Sequence, residues 1–210
     1  MKLTELNIWL EDLRNLIIDL NISLNNAKYL IKEKGTPAEQ KIKEHGFFKH
    51  HIYQLKFIMI IQLCKIFDNN SNQKINVHKL FNRLRNEGYD KELTEILANN
   101  SESFNGIKNK KEMIQIVNSL QDKILLKREF IENLIFLRNK VYAHKDKTDS
   151  YASLKWIDLE ELIKLSSEIY NKIYGGIYKS HMYFEWTGDW NAKDIIQNLA
   201  WFRTLKLGDE

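Results

Sequence analysis

The chain has 210 residues, enough to bury a full hydrophobic core without disulfide or metal staples. Its 43% hydrophobic and 29% charged content is that of a globular protein and excludes a disordered or collagen-like chain. Thirty-two basic against 28 acidic residues leave a formal charge of +4. That balance permits contact with nucleic acid but lacks the dense basic stripe of a dedicated backbone binder.

Cys64 is the single cysteine, so no intrachain disulfide can form and a reducing compartment is expected. The stretch "MKLTELNIWLEDLRN" carries acids at Glu5, Glu11 and Asp12 and does not read as a signal peptide. The longest apolar run, "FIMIIQLCKIF", is too short to span a bilayer. The expected location is cytoplasmic, with no membrane partner. One proline, Pro37, and eight glycines favour long helices over a many-turned β protein.

In chain order, Leu6, Leu10, Leu13, Ile17, Leu20, Leu24, Ala27 and Ile31 recur at helical spacing and predict one long amphipathic helix over 3–33. Thr36, Pro37 and Gln40 then read as a helix start. The second helix is expected from Pro37 to about Phe67, with the apolar half from Phe57 at the bundle centre. Short helices are predicted over 77–87 and 90–98. A third long pattern runs from about Lys110 to Tyr142, kinked near Leu125–Arg128. Asp158 is placed to cap a helix reaching Tyr174, with Leu159, Leu162, Ile163, Leu165, Ile169 and Ile173 inward and a break or bend at Gly175 and Gly176. A last helix is expected from about Ala192 to Leu205, and the only candidate strand lies around Tyr178–Trp186.

The fold class that follows is all-α, an up-and-down bundle of four to five main helices with short additions. The expected organisation is a helical domain over 1–175 and an aromatic C-terminal extension over 176–210 packed on it.

One stretch at a helix end stands out, "FLRNKVYAHKD", residues 136–146. Arg138 lies six residues before His144, and on a straight α-helix that step leaves the two side chains about 120° apart. A bare Arg-to-His spacing is common by chance. The extended string is more specific: a long helix ending in Leu-Arg-Asn, a short turn, then Tyr-Ala-His-Lys-Asp.

This string resembles the signature of the HEPN superfamily, an arginine followed by a polar residue and, four to six residues on, a histidine. "FFKHHIYQLKFIMIIQLCKIFD" and "INVHKLFNRL" resemble the branch named for the type U phage abortive-infection protein. The resemblance implies a metal-independent endoribonuclease of a toxin or phage-defence system, built on a homodimer whose two motifs meet across a two-fold axis. It would reconcile the divergent directions of Arg138 and His144, because each would meet its symmetry mate.

The implied chemistry suits the residue types. His144, from the two subunits, would take the proton of a 2′-hydroxyl and return one to the leaving 5′ oxygen. Arg138 would stabilise charge on the phosphoryl oxygens, and Asn139 would hold a phosphate oxygen or orient a neighbour. Tyr142, Lys145 and Lys140 are the substrate-binding candidates. Asp146, His50 and His51 are supporting candidates. No metal set and no cofactor is expected. RNA, a second copy of the chain and an antitoxin protein are the partners implied.

Other readings stand beside these. The motif can belong to an inactive HEPN-like module that binds a protein or nucleic acid. Nucleotide binding without hydrolysis has little support, since no Gly-rich phosphate loop is present. Cys64 reads as core filler. Phe47, Phe48 and the nearby histidines are expected to line the bundle interior or the dimer cleft. "IKNKKEM" and "NRLRNEG" read as solvated basic faces or RNA-backbone contacts. Trp186, Trp190 and Trp201 read as a small aromatic core or, less simply, a stacking platform.

Overall fold

The computed structural model describes residues 1–70, 76–100, 106–142 and 154–208, with the backbone alone at 141–142 and 206–208. The all-α expectation holds: the described residues form helices joined by turns, without a strand. In order they are α1 (Leu3–Ile31), α2 (Pro37–Lys43), α3 (Gly46–Phe67), α4 (Val77–Asn86), α5 (Lys91–Ala98), α6 (Lys110–Leu126), α7 (Arg128–Leu137), α8 (Trp156–Tyr178) and α9 (Ala192–Gly208). A π-helical turn, Arg138–Tyr142, follows α7 directly. The segment 178–186, where a strand was conceivable, is helix end, turn and irregular chain.

α1 forms because its apolar positions make one stripe. Leu6, Leu10, Leu13, Ile17, Leu20, Leu24 and Ala27 are all buried, and only Ile31, in the last turn, is exposed. Each fully buried leucine or isoleucine contributes about 1.5–3 kcal/mol relative to exposure.

The second predicted helix is two. α2 ends at Lys43, and the chain tightens where the His45 N–H bonds the Ile42 carbonyl at 3.0 Å. The His45 imidazole then accepts the Phe47 N–H at 3.3 Å, which caps the start of α3 beside Gly46. In the apolar half of α3, Met59, Ile60, Leu63, Cys64, Ile66 and Phe67 are buried, whereas Phe57 and Ile58 are exposed.

Two compact units emerge. The first contains Met1–Ile17 and Ile60–Tyr183. In it α4 and α5 start on side-chain caps: Asn76 accepts the Lys79 N–H and Asp90 accepts the Leu93 N–H. The kink expected near Leu125–Arg128 is a break at Lys127, whose N–H bonds the Ile124 carbonyl at 3.0 Å. The Lys127 ammonium reaches Glu161 on α8 at 2.7 Å, and Lys123, one turn earlier on α6, pairs with Glu168, about two turns further along α8. These pairs tie α6 and α8 together.

α8 differs from expectation at both ends. Asp158 lies inside its first turn and reaches back to the Lys155 N–H at 2.8 Å. At the other end the helix runs through Gly175 and Gly176 to Tyr178. These glycines serve close approach. A Cβ on Gly176 would fall 2.4 Å from the Ile107 side chain, and one on Gly175 would fall 2.7 Å from the Ser180 carbonyl oxygen. The buried Asn100 amide donates to the carbonyls of Ile107, Gly176 and Ile177 at 3.0–3.2 Å. Lys179 closes α8 in the left-handed region, φ 54°, with its N–H on the Gly175 carbonyl. The inward set from Leu159 to Ile173 is buried as expected.

The second unit contains Ile18–Met59 and the chain from Phe184 onward. There α9 packs on α2 and buries Ile196 and Ala200. A buried polar network joins the end of α1 to α2: Tyr29 donates its hydroxyl to Glu39 at 3.1 Å, and Lys43 lies 3.6 Å from the Tyr29 ring centroid. Lys43 also donates to the Tyr29 and Glu33 carbonyls, both at 3.0 Å. Burial, and then the Glu39 bond, push the Tyr29 phenol well above its ordinary pKa.

Candidate functional site around Arg138

α7 carries a buried face of Ile131, Leu134 and Leu137, so the next residue emerges at the edge of the core. Arg138 takes that position, donates its backbone N–H to the last carbonyls of α7, and opens the π-helical turn. π turns are uncommon and often mark functional positions. Because the turn is not α-helical, the 120° separation computed on a straight α-helix does not apply beyond Arg138.

Among the described residues, the Arg138 guanidinium meets Asp68 and Asn139. Nη2 lies 2.8 Å from Asp68 Oδ2. Nε and Nη2 also donate to Asn139 Oδ1, at 3.0 and 2.9 Å. The Arg138 and Asp68 side chains are 20% and 11% exposed, so the pair is largely desolvated but touches solvent. Asp68 follows the last residue of α3, and its N–H bonds the Cys64 carbonyl at 2.9 Å. A carboxylate at a helix C-terminus is disfavoured by the helix dipole, and Arg138 offsets that cost.

Beneath the pair lies Cys64, fully buried, with its Sγ 3.6 Å from the Leu134 carbonyl. Burial pushes its thiol up to about 12 against a smaller opposing effect of Arg138. The core reading of Cys64 therefore fits the structure. Beside the pair, His78 Nε2 lies 3.1 Å from the Phe67 carbonyl oxygen. Burial holds the His78 imidazole below its ordinary value of 6.5, against opposing contributions from Phe67, Gln121 and Asp68.

In the structure Asn139 accepts from Arg138, and Asp68, which the sequence reading did not select, pairs with the same guanidinium. The available signal was its position: an acid closing the apolar helix "QLCKIFD". Lys140 lies in the π turn, and the backbone of Tyr142 ends it. His144, Lys145 and Asp146 lie outside the described residues.

His50 and His51 belong to the first half of α3, in the second unit. They are not inside the bundle. His50 is exposed, His51 is half-buried, and Phe47 beside them is exposed. The His51 ring stacks on Phe47 at 6.1 Å and the His50 ring on Tyr53 at 6.2 Å.

The aromatic-core reading of the tail is corrected: Trp186, Trp190 and Trp201 are 84%, 73% and 58% exposed. The basic stretches are partly engaged within the chain. Arg83 pairs with Glu5 and Glu87, Arg85 donates to Asn118, and Lys110 donates to the Glu87 carbonyl.

A helical chain with an arginine-led motif at a helix end is what the HEPN class combines. The family HEPN_AbiU2, described as AbiU2, matches residues 3–195, and the chain belongs to it. No curated protein and no solved structure gives a significant match. Membership associates the chain with ribonuclease or abortive-infection functions. Among the described residues, no helix is long and apolar enough to cross a membrane.

Proposed function

We propose that the chain is a metal-independent endoribonuclease of a phage-defence or toxin system, acting at a site shared by two copies. The observation that carries this reading is the Arg138 cluster. A guanidinium emerges at a π-helical turn, is aligned by Asp68 and Asn139, and heads the motif that leads to His144 within the family match.

In this reading the Arg138 guanidinium meets a non-bridging phosphate oxygen and the charge that grows on it. One His144 imidazole removes the 2′-hydroxyl proton. The 2′ oxygen attacks phosphorus, the bond to the 5′ oxygen breaks, and the second imidazole protonates the departing oxygen. The products are a 2′,3′-cyclic phosphate and a 5′-hydroxyl. DNA lacks the internal nucleophile and stays intact. Lys140, Tyr142 and Lys145 contact the strand, and Asp146 orients His144.

The test is incubation of the purified protein with RNA and with DNA of the same sequence in excess EDTA. Wild type is expected to cut only RNA and leave cyclic phosphate ends. Arg138→Ala is expected to lose about 10²–10³-fold in rate, and His144→Ala about 10²–10⁴-fold. Wild type that leaves RNA whole, or variants that match it, would overturn the assignment.

One observation favours a second reading, a HEPN module that binds without cutting. The Arg138 guanidinium is already committed to Asp68 and Asn139. RNA or a partner protein bound with no cleavage, weakened by Arg138→Ala and unaffected by His144→Ala, would be its signature.

A further inference from the structure

The end of α3 is held from outside by a side chain that the motif does not contain. His78, the second residue of α4, points Nε2 at the Phe67 carbonyl oxygen, 3.1 Å away. A carbonyl only accepts, so Nε2 carries the hydrogen. Phe67 is the last residue of α3, and its carbonyl is among those that have no helical N–H to receive. The Gln121 side chain, from α6, also bonds the same imidazole. The peptide bond that His78 fixes leads directly into Asp68, whose carboxylate holds Arg138.

We propose that His78 is a positioning residue for Arg138: by holding the Phe67 carbonyl it sets the Asp68 carboxylate and, through it, the direction of the guanidinium. The inference rests on Arg138 as the phosphate-binding group of the proposed site. It adds three links from three helices: an imidazole from α4, an amide from α6 and a carboxylate at the end of α3.

The groups facing the imidazole are Phe67 and Asp68 from the α3 end, Gln121 from α6 and Arg85 from α4 itself. Burial outweighs the rest, so the ring is neutral near pH 7 as the Nε2–H tautomer. When acid protonates Nδ1, a cation faces Asp68. The carboxylate is then shared between His78 and Arg138, and the guanidinium loosens.

Two readouts separate this inference from the ribonuclease reading. The first is the 15N–1H resonance of Arg138 Nε, followed from about pH 5 to pH 8. In wild type it is expected to be slowly exchanging and to shift as His78 titrates. His78→Leu should speed its exchange and remove the pH response. His78→Gln, which keeps a donor, should restore slow exchange without the pH response. A resonance that is identical in wild type and His78→Leu overturns the inference. So does a titration that persists in His78→Gln, a result available even if His78→Leu fails to fold.

The second readout is RNA cleavage. His78→Leu should lower kcat by roughly 10- to 100-fold with little change in KM, and His78→Gln should recover most of it. Equal kcat in His78→Leu and wild type also overturns the inference. Should wild type not cleave RNA, the ribonuclease reading fails, and the resonance of Arg138 still decides whether His78 positions it.

Discussion

Arg138 and Asp68 form an ion pair of 2.8 Å between the end of α7 and the end of α3, residues 70 positions apart in sequence. The contact makes the arginine at the head of the motif a structural as well as a chemical element. Asp68→Ala would leave a largely desolvated guanidinium without its carboxylate partner. Breaking a fully buried pair costs about 3–5 kcal/mol. With both side chains partly solvated, a loss of about 1–3 kcal/mol is expected, measured by urea denaturation. RNA cleavage should fall with it, whereas Asp68→Asn, which keeps the shape and an acceptor, should fold better than it cuts.

The C-terminal end of α8 gives a prediction of opposite sign. Lys179 occupies the left-handed region at φ 54°, where a Cβ is strained. Lys179→Gly should stabilise the protein by about 0.5–1 kcal/mol. Gly175→Ala should destabilise it by about 1–3 kcal/mol, because its Cβ would meet the Ser180 carbonyl oxygen, a backbone atom with little room to yield. Thermal and chemical unfolding of the two variants tests both signs.

Stability should fall with acidity in two separate windows. His78 titrates below its ordinary 6.5 in the folded chain, so the unfolded chain binds its proton first. Its contribution is complete above about pH 6.5 and is lost as pH falls through the folded value. Glu87 is held down to about 2, chiefly by the Arg83 hydrogen bond, so its contribution is complete above the ordinary 4.5 and is lost between there and about 2. Unfolding midpoints against pH should show both slopes. His78→Gln should erase the upper one and Glu87→Gln the lower.

Cys64 should resist chemistry in the folded state. With its thiol pushed to about 12 and its side chain fully buried, native protein at mildly alkaline pH is expected to take up iodoacetamide only as fast as it opens. Labelling should become stoichiometric in denaturant. Fast labelling of native protein would show that the space beneath Arg138 is open to solvent.

How much of this was legible in the sequence depends on the range of the interaction. The stripe from Leu6 to Ala27 is a local periodicity, and helix formation with one buried face follows from it directly. The same holds for the inward face of α8 and for the Thr36–Pro37 start of α2. The break at Lys127 falls where a kink near Leu125–Arg128 was expected. The break at His45 was not, because it rests on an imidazole capping the next helix, a use that residue type does not announce. The glycines of α8 were misjudged for a related reason: their role is set by Ile107 and Ser180. The three tryptophans of the tail were expected to cluster inward, yet burial depends on what else packs there.

By itself, the sequence determined the all-α class, the main helices and the family, because these depend on periodicity and on a contiguous string of residues. It also pointed to Arg138 and Asn139, which are neighbours in the chain. The tertiary structure alone decided that Asp68 meets Arg138, that His78 holds the carbonyl before Asp68, and that Lys127 breaks α6 from α7 while reaching α8. Those contacts join residues 11 to 70 positions apart. A charge or a ring nitrogen finds its partner only after several amphipathic helices have buried their apolar faces against one another and fixed where each helix ends.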